Sequence, residues 1–527
     1  MTGWTLAHAE VLDGSGAPAY PADVVVRGER IEGIAAPGTA QVGRVLDCRG
    51  LLLTPGFIDI HSHSDLTLLL DPRAASSVHQ GVTLEVIGNC GHGCAPLKDI
   101  DVARTAIYGP IPERGFFRWS TMAGYLQALE EARPAVNVVA LVPNGQLRLA
   151  HVGRAQRPAS ADELARMGRD LEEGLDAGAW GFSSGLEYVQ EGAASGAEID
   201  ALCRIVARRG GLYATHTRHR DRRALEAIDE AVQTAARTGV ALQISHITPR
   251  AGLPEAAAAL ERVDQARAAG LDIGFDMHTR LFGFTHLKNL LPLWALEGTP
   301  AQIRARLADP AQQQRIRAHP NLIAGVGDWR KVVLVDSQAL AECNGLGFDE
   351  IARRLGTDGL GAGLAALAAD VEQIERPMVL LLTYSEEMLR LTYQHPACMP
   401  GSDATALAPD GVLAGEKFHG AYTWAAWFLR RMVRETGALA LPDAVHRLTG
   451  LPARRLGLAD RGRIAPGMRA DIALLDWAAY GDTGTVQAPS QLARGVRHLL
   501  VNGVATLLDG TPTGERAGQV LRAQGGR

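Results

Sequence analysis

The chain has 527 residues, 46% of them apolar, 21% charged and 5% aromatic. That composition excludes a disordered chain and suits one large domain with an appendage, or two to four smaller ones. A net charge of −5 gives no basic footprint, so no nucleic-acid partner is expected, and no apolar run reaches the roughly 18 residues of a membrane span.

The start, Met1-Thr2-Gly3-Trp4-Thr5-Leu6, has neither a basic lead nor an apolar core, so no Sec signal is expected. Residues 1–55 read as short strands punctuated by Gly and Pro. Asp23-Val24-Val25-Val26 and Arg30-Ile31-Glu32-Gly33-Ile34, separated by Gly28, predict a hairpin. After Pro55, apolar strands alternate with amphipathic helices, the pattern of a parallel sheet built from βα units. Asn137-Val138-Val139-Ala140-Leu141-Val142 is a buried strand. Ser160 and Glu163 have capping-box spacing, and the helix they open sets Leu164, Met167, Leu171 and Leu175 on one face. Strands then end at His216 and at His246, and Leu271-Asp272-Ile273-Gly274-Phe275-Asp276 follows. Further strands are predicted at 331–335 and 378–383. This is about the number of units that an eight-fold barrel needs, although a doubly wound open sheet fits the same alternation. Strands return at 470–475 and 496–501, so both termini are expected to complete one small β domain. Six cysteines (48, 90, 94, 203, 343, 398) in a chain this long do not read as a disulfide framework, and a cytoplasmic enzyme is expected.

The chemistry concentrates at strand ends. In Asp59-Ile60-His61-Ser62-His63 two histidines at i and i+2 point to one side, where both imidazoles can reach one cation. His216 and His246 each end an apolar strand, the rim position where barrel enzymes collect their catalytic groups. The His61/His63 pair alone reads equally well as exposed histidines at a strand end, and His216 or His246 alone reads more readily as a structural histidine; four in one alternating pattern point to a metal. Cys90, in Gly88-Asn89-Cys90-Gly91, offers a thiolate that favours zinc, with Cys94 the competing choice on spacing alone. Asp403 in Gly401-Ser402-Asp403 suits a metal ligand, a general base or a plain helix cap. The only lysines are Lys98, Lys288, Lys331 and Lys417. None ends a strand between His63 and His216, so no carboxylated-lysine bridge is expected, and Cys90 is the better bridging candidate.

With these residues in place, the chain resembles the amidohydrolase superfamily, and within it the N-acyl-D-amino-acid deacylases, from about residue 24 to 510. The stretch Gly50-Leu51-Leu52-Leu53-Thr54-Pro55-Gly56-Phe57-Ile58-Asp59-Ile60-His61-Ser62-His63 is similar to the superfamily's first-strand motif. Gly81-Val82-Thr83 followed by Gly88-Asn89-Cys90-Gly91 is specific to the deacylase branch. Gly185-Leu186-Glu187-Tyr188, Ala214-Thr215-His216, Ile244-Ser245-His246 and Gly401-Ser402-Asp403 occur in family order. Ile464-Ala465-Pro466-Gly467 resembles the return into the β domain.

The resemblance implies an α/β fold: a distorted TIM (β/α)8 barrel at 56–459, with a small β-sandwich from 1–55 and 460–527. A lid is expected at about 281–342, where Phe282, Phe284, Leu290, Leu291 and Trp294 exceed what a rim loop needs. It implies that Cys90, His216 and His246 hold a tight zinc, and that His61 and His63, with Asp403, belong to a second position. Asp403 would be the general base, and Tyr188 would touch the substrate. The family's carboxylate-binding Lys is Thr248 here, with Arg250 nearby, and its Asp-x-Tyr-Pro-Tyr is Asp276-Met277-His278-Thr279-Arg280. Arg280, Arg250 and His278 are therefore the candidate substrate anchors; a solvated rim arginine is the plain alternative for Arg280. The expected activity is zinc-dependent deacylation of a small-molecule N-acyl-D-amino acid, or a related N-acyl amine, by metal-activated water. A cyclic amide, carbamate or aryl amide substrate, or a non-catalytic barrel scaffold, are the alternatives.

Overall fold

Eight parallel strands form the barrel of the computed structural model, which describes residues 3–523. In order they are Phe57–Asp59, Val82–Ile87, Asn137–Ala140 with its continuation Val142–Pro143, Gly181–Gly185, Leu212–His216, Ala241–Ile244, Ile273–His278 and Cys398–Gly401. Nearly every residue of these strands is buried, as expected where helices cover the outer face and side chains fill the inside. The third strand bridges two hydrogen-bonded groups: Leu141 N–H donates to Ile87 O at 3.0 Å, and Trp180 N–H to Ala140 O at 2.8 Å. The ring closes where Asp403 N–H donates to His61 O at 2.8 Å and Ser402 N–H to Asp59 Oδ1 at 2.9 Å. The predicted capping box forms, and its helix Ala161–Asp176 buries Met167, Leu171 and Leu175 while Leu164 stays half-exposed.

Both termini build one nine-stranded sheet. Gly3–Val11, Tyr20–Arg27, Arg30–Ala35, Arg44–Asp47 and Leu52–Pro55 join Ile472–Leu475, Val496–Val501, Val504–Leu508 and Thr511–Pro512. Leu52–Pro55 pairs with Ile472–Leu475 antiparallel, so the strand that leads into the barrel is tied to the one that leaves it. Leu6, Val24, Leu53, Ile472 and Leu500 pack the sheet's own core.

The strands expected at 331–335 and 378–383 form, as Val332–Val335 and Met378–Leu381, but they are not barrel strands. They pair antiparallel with each other, and Met378–Leu381 pairs with Gly283–His286, giving a separate three-stranded sheet. Short apolar runs carry no record of which sheet they join, and the eighth barrel strand is instead the Cys398–Gly401 segment. The excursion between the seventh and eighth strands therefore runs well beyond 342, through the helices Phe348–Leu355 and Gly359–Ala369. Its apolar core contains Leu287, Leu290, Leu291, Phe348 and Val379, and it takes in Cys90 and Tyr188 from the barrel rim. No helix among the described residues is long and apolar enough to cross a membrane. All six cysteines are unpaired and buried.

Candidate active site

Three turns at the C-terminal rim share a backbone feature. Cys90 (φ 53°), His246 (φ 35°) and Asp403 (φ 44°) are all left-handed, each within three residues of the end of a barrel strand. None is glycine, so each conformation costs about 1 kcal/mol or more and is held by its surroundings. Cys90 is held by close packing. A Cβ on Gly185 would lie 2.1 Å from Cys90 O, and one on Gly91 would lie 1.6 Å from Glu191 Oε1. Only glycine lets the backbones approach this closely.

The three turns and the first strand bring four side chains to one point. One ligand atom each from His61, Cys90, His246 and Asp403 lies within 4.8 Å of the other three. Cys90 Sγ is 3.2 Å from His61 Nε2 and 3.4 Å from His246 Nε2. Asp276 arranges two of these groups. Its Oδ1 accepts from His61 Nδ1 at 3.0 Å and from His246 N–H at 2.7 Å, and its Oδ2 accepts from Gln243 Nε2 at 3.0 Å. Holding the proton on Nδ1 leaves His61 Nε2 with its lone pair towards the cluster.

Asp403 is gripped from two sides. Oδ1 lies 3.3 Å from His63 Nε2 and 3.5 Å from His61 Nε2. Oδ2 accepts from Arg280 Nη2 at 2.7 Å. Burial alone would raise its pKa, but the Arg280 guanidinium and the His63 hydrogen bond hold it well below the usual carboxylate range. The carboxylate is therefore ionised at neutral pH.

His216 stands beside this cluster, its ring centroid 4.5 Å from that of His246. Its Nε2 is 2.8 Å from Glu187 Oε2, and Glu187 also pairs with Arg250. Burial depresses His216 to about 4 despite the pull of Glu187, so its imidazole is neutral. His216 Nδ1 and His246 Nδ1 are buried without a hydrogen bond. The Tyr188 ring lies 4.7 Å from that of His216, tilted by 50°, and packs under the excursion.

The three candidate anchors fare differently. Arg280 is spent on Asp403, and Arg250 on Glu187. His278 is 1% exposed with both ring nitrogens unpartnered, 6.5 Å from the His246 ring and 5.0 Å from Tyr384. Thr248, at the family's Lys position, is tied to Thr392 at 2.8 Å. Glu187, Asp276, His92 and Tyr108 are the groups sequence reasoning missed. Asp276 ends the strand read from the sequence at 271–276 and lies two residues before the end of the observed one, and that placement alone could have found it. The other three sit on loops whose folding the sequence pattern does not carry.

A divalent cation fits this donor set. A thiol, imidazole nitrogens and a carboxylate, crowded together in a largely buried site, are the ligands zinc takes. Burial lifts the Cys90 thiol to about 11, so a cation beside it would be needed to release its proton.

Comparison with known proteins agrees with this geometry. Residues 44–506 match the sequence profile of the amidohydrolase family. The chain is 36% identical to the N-acyl-D-glutamate deacylase of Alcaligenes xylosoxydans xylosoxydans, over 97% of its own length and 95% of that protein. It is 34% identical to the N-acyl-D-aspartate deacylase of the same organism, over 98% and 94%. Its fold superposes on the N-acyl-D-glutamate deacylase of Bordetella bronchiseptica, solved with zinc and a phosphonate mimic of the tetrahedral intermediate. The TM-score there is 0.79, at 29% identity and 99% coverage of both chains.

Proposed function

The chain belongs to the amidohydrolase family, and on that premise we propose that it is a zinc-dependent deacylase of N-acyl-D-amino acids. The observation that carries this reading is the convergence of His61, Cys90, His246 and Asp403 within 4.8 Å at the barrel mouth, in a chain this similar to two such deacylases over nearly their whole lengths. Cys90, His246 and His216 would hold the tighter zinc. His216 would use its unpartnered Nδ1 while Glu187 fixes Nε2, the carboxylate–imidazole pattern common behind metal-binding histidines. His61 and His63, with Asp403, would serve a second position. Zinc, when bound, supplies Lewis-acid polarisation of the scissile carbonyl and a lower pKa for water.

The chain's own groups do the proton work. Asp403, ionised because Arg280 and His63 hold it so, would take a proton from the attacking water as its oxygen bonds to the carbonyl carbon. The same carboxyl would then give that proton to the leaving nitrogen as the C–N bond breaks, releasing a carboxylic acid and a free amine. Arg280 would keep Asp403 aimed, and Asp276 would keep His61 in its working tautomer. Tyr188 and His278 would face the substrate, and the excursion over Cys90 and Tyr188 would exclude water. Six unpaired, buried cysteines suit a reducing compartment, and we place the enzyme in the cytoplasm.

The test is a turnover assay of the zinc-loaded protein on paired N-acetyl-D- and N-acetyl-L-amino acids. Hydrolysis confined to D-substrates supports the reading. Hydrolysis of cyclic amides or carbamates, with the whole panel untouched, would replace it.

A further inference from the structure

The basic side chains around the barrel mouth are, with one exception, already occupied. Arg280 pairs with Asp403, Arg250 with Glu187, and Arg218 with Glu230. Arg220 donates to the carbonyls of His246 and Thr248. Lys288 is the exception. It is 4% exposed, and its buried ammonium makes no hydrogen bond or ion pair among the described residues. A buried charge without a partner is costly, and a ligand of opposite charge would offset that cost.

The position of Lys288 says which part of a ligand that would be. It lies on the short turn Leu287–Leu290, directly after the strand Gly283–His286. Leu287 and Leu290 pack in the same apolar cluster as Cys90 and Tyr188. His286 stacks on Tyr108 at 4.9 Å, and the Tyr108 ring is 4.7 Å from both His63 and His92. The His92 ring in turn lies 4.5 Å from that of Tyr188. One layer of rings thus connects the turn that carries Lys288 to the metal-ligand cluster. Burial pushes the ammonium below its usual pKa; Glu375 pulls the other way, and Arg104 adds to the depression. Glu375 is itself ion-paired to Arg104, with Nε 3.1 Å from Oε1. Arg104, Tyr108, His286 and Glu375 also line a cavity of about 300 Å³.

We propose that Lys288 anchors a second carboxylate of the substrate, remote from the scissile amide, so that the enzyme prefers N-acyl derivatives of acidic amino acids. The α-carboxylate lies two bonds from the scissile nitrogen and so stays close to the reacting atoms. A group that reaches Lys288 must extend past the layer of rings, as a dicarboxylic side chain does. An ammonium on a flexible stem suits this task, because it acts as a point charge and tolerates a range of chain lengths.

This inference rests on the deacylase reading, and two arms separate their failures. The first compares N-acetyl-D-glutamate with N-acetyl-D-glutamine, which match in shape and differ in charge, for the wild type and Lys288→Met. The wild type should favour the glutamate by at least about tenfold in kcat/KM, and the substitution should erase at least about tenfold of that preference, chiefly through KM. A preference that survives Lys288→Met, or is absent from the wild type, overturns the proposal. The second arm is calorimetric binding of glutarate to the zinc-loaded protein, which needs no turnover. Glutarate bound at least about tenfold more weakly by Lys288→Met supports the anchor even if no N-acetyl amino acid is hydrolysed; equal affinities overturn it. Removing an unpaired buried charge should leave Tm unchanged or higher, and Lys288→Gln serves as the second variant if the Met protein folds poorly.

Discussion

Arg280 grips Asp403 from both ends, donating to its carboxylate at 2.7 Å and to the carbonyls of Ser402 and Asp403 at 2.5 and 2.9 Å. The sequence made Arg280 one of three candidate anchors for a substrate carboxylate. Its guanidinium is spent within the protein, on the loop that carries the proposed base. An arginine offers five donors in one plane, and here that fork fixes a strained, left-handed turn.

The Arg280→Ala variant should therefore lose kcat by about 10²-fold, the size of effect seen when a reacting group is mispositioned. The loss should be alike for an N-acetyl-D-amino acid and for its carboxyl-amidated counterpart. A rise in KM confined to the free acid, with kcat intact, would return Arg280 to the role of anchor. Arg280→Lys should recover little, because one ammonium cannot reach a carboxylate and two carbonyls together.

Cys90→Ala should lower the zinc content of the purified protein. The thiolate is the softest donor in the cluster, and no other cysteine is within reach of His61 and His246. Serine keeps the side-chain shape of cysteine without its soft sulfur, so a parallel Cys90→Ser variant separates loss of the thiolate from loss of packing. Undiminished zinc by elemental analysis in both variants would exclude Cys90 as a ligand.

Glu187 links His216 Nε2 to Arg250 inside the protein. The two partners hold its pKa down at about 2 in spite of burial. Glu187→Gln keeps the shape, removes the charge and frees the imidazole to rotate. Zinc affinity should fall by about 10–100-fold, the usual cost of losing a carboxylate behind a metal-binding histidine. Arg250 is left buried without its partner, so Tm should fall as well. A chelator titration that finds wild-type affinity would mean that His216 stands outside the metal site.

How much of this was legible in the sequence follows from which signals are local. Each of Cys90, His216, His246 and Asp403 stands at or just after a strand end, a one-dimensional pattern that periodicity reveals. The hairpin at 23–34 and the capping box at Ser160 were legible for the same reason. Glu187 was not, because its neighbour Tyr188 carried the aromatic signal and nothing local says that the carboxylate meets Arg250, sixty-three positions on. The strands Val332–Val335 and Met378–Leu381 were seen, but their sheet was not, since the choice between a barrel edge and a separate sheet is made by partners far away in the chain. The pairing of Arg280 with Asp403 was not legible for a related reason. The position of Arg280 at the rim is local information, but the loop that brings Asp403 back to it lies 123 residues later.

Asp403 is the residue on which turnover should depend most. Its place in the four-atom cluster admits two roles, ligand and base, and the choice of substitution decides whether they can be told apart. Alanine would confound them, because φ 44° favours glycine, asparagine and aspartate. Asparagine tolerates that backbone and keeps the side-chain shape, and its amide oxygen can still accept from Arg280, but it cannot carry a proton between water and amine. Asp403→Asn should therefore fold as the wild type does and retain its tighter zinc, which Cys90, His246 and His216 are proposed to hold. Its kcat should drop by about 10²–10⁴-fold, the range for removing a general acid–base. KM should change far less, since the carboxylate acts on the reacting atoms rather than on the bound substrate. Zinc content and kcat measured on one preparation decide the matter: zinc retained with kcat near that of the wild type would remove Asp403 from the proton path.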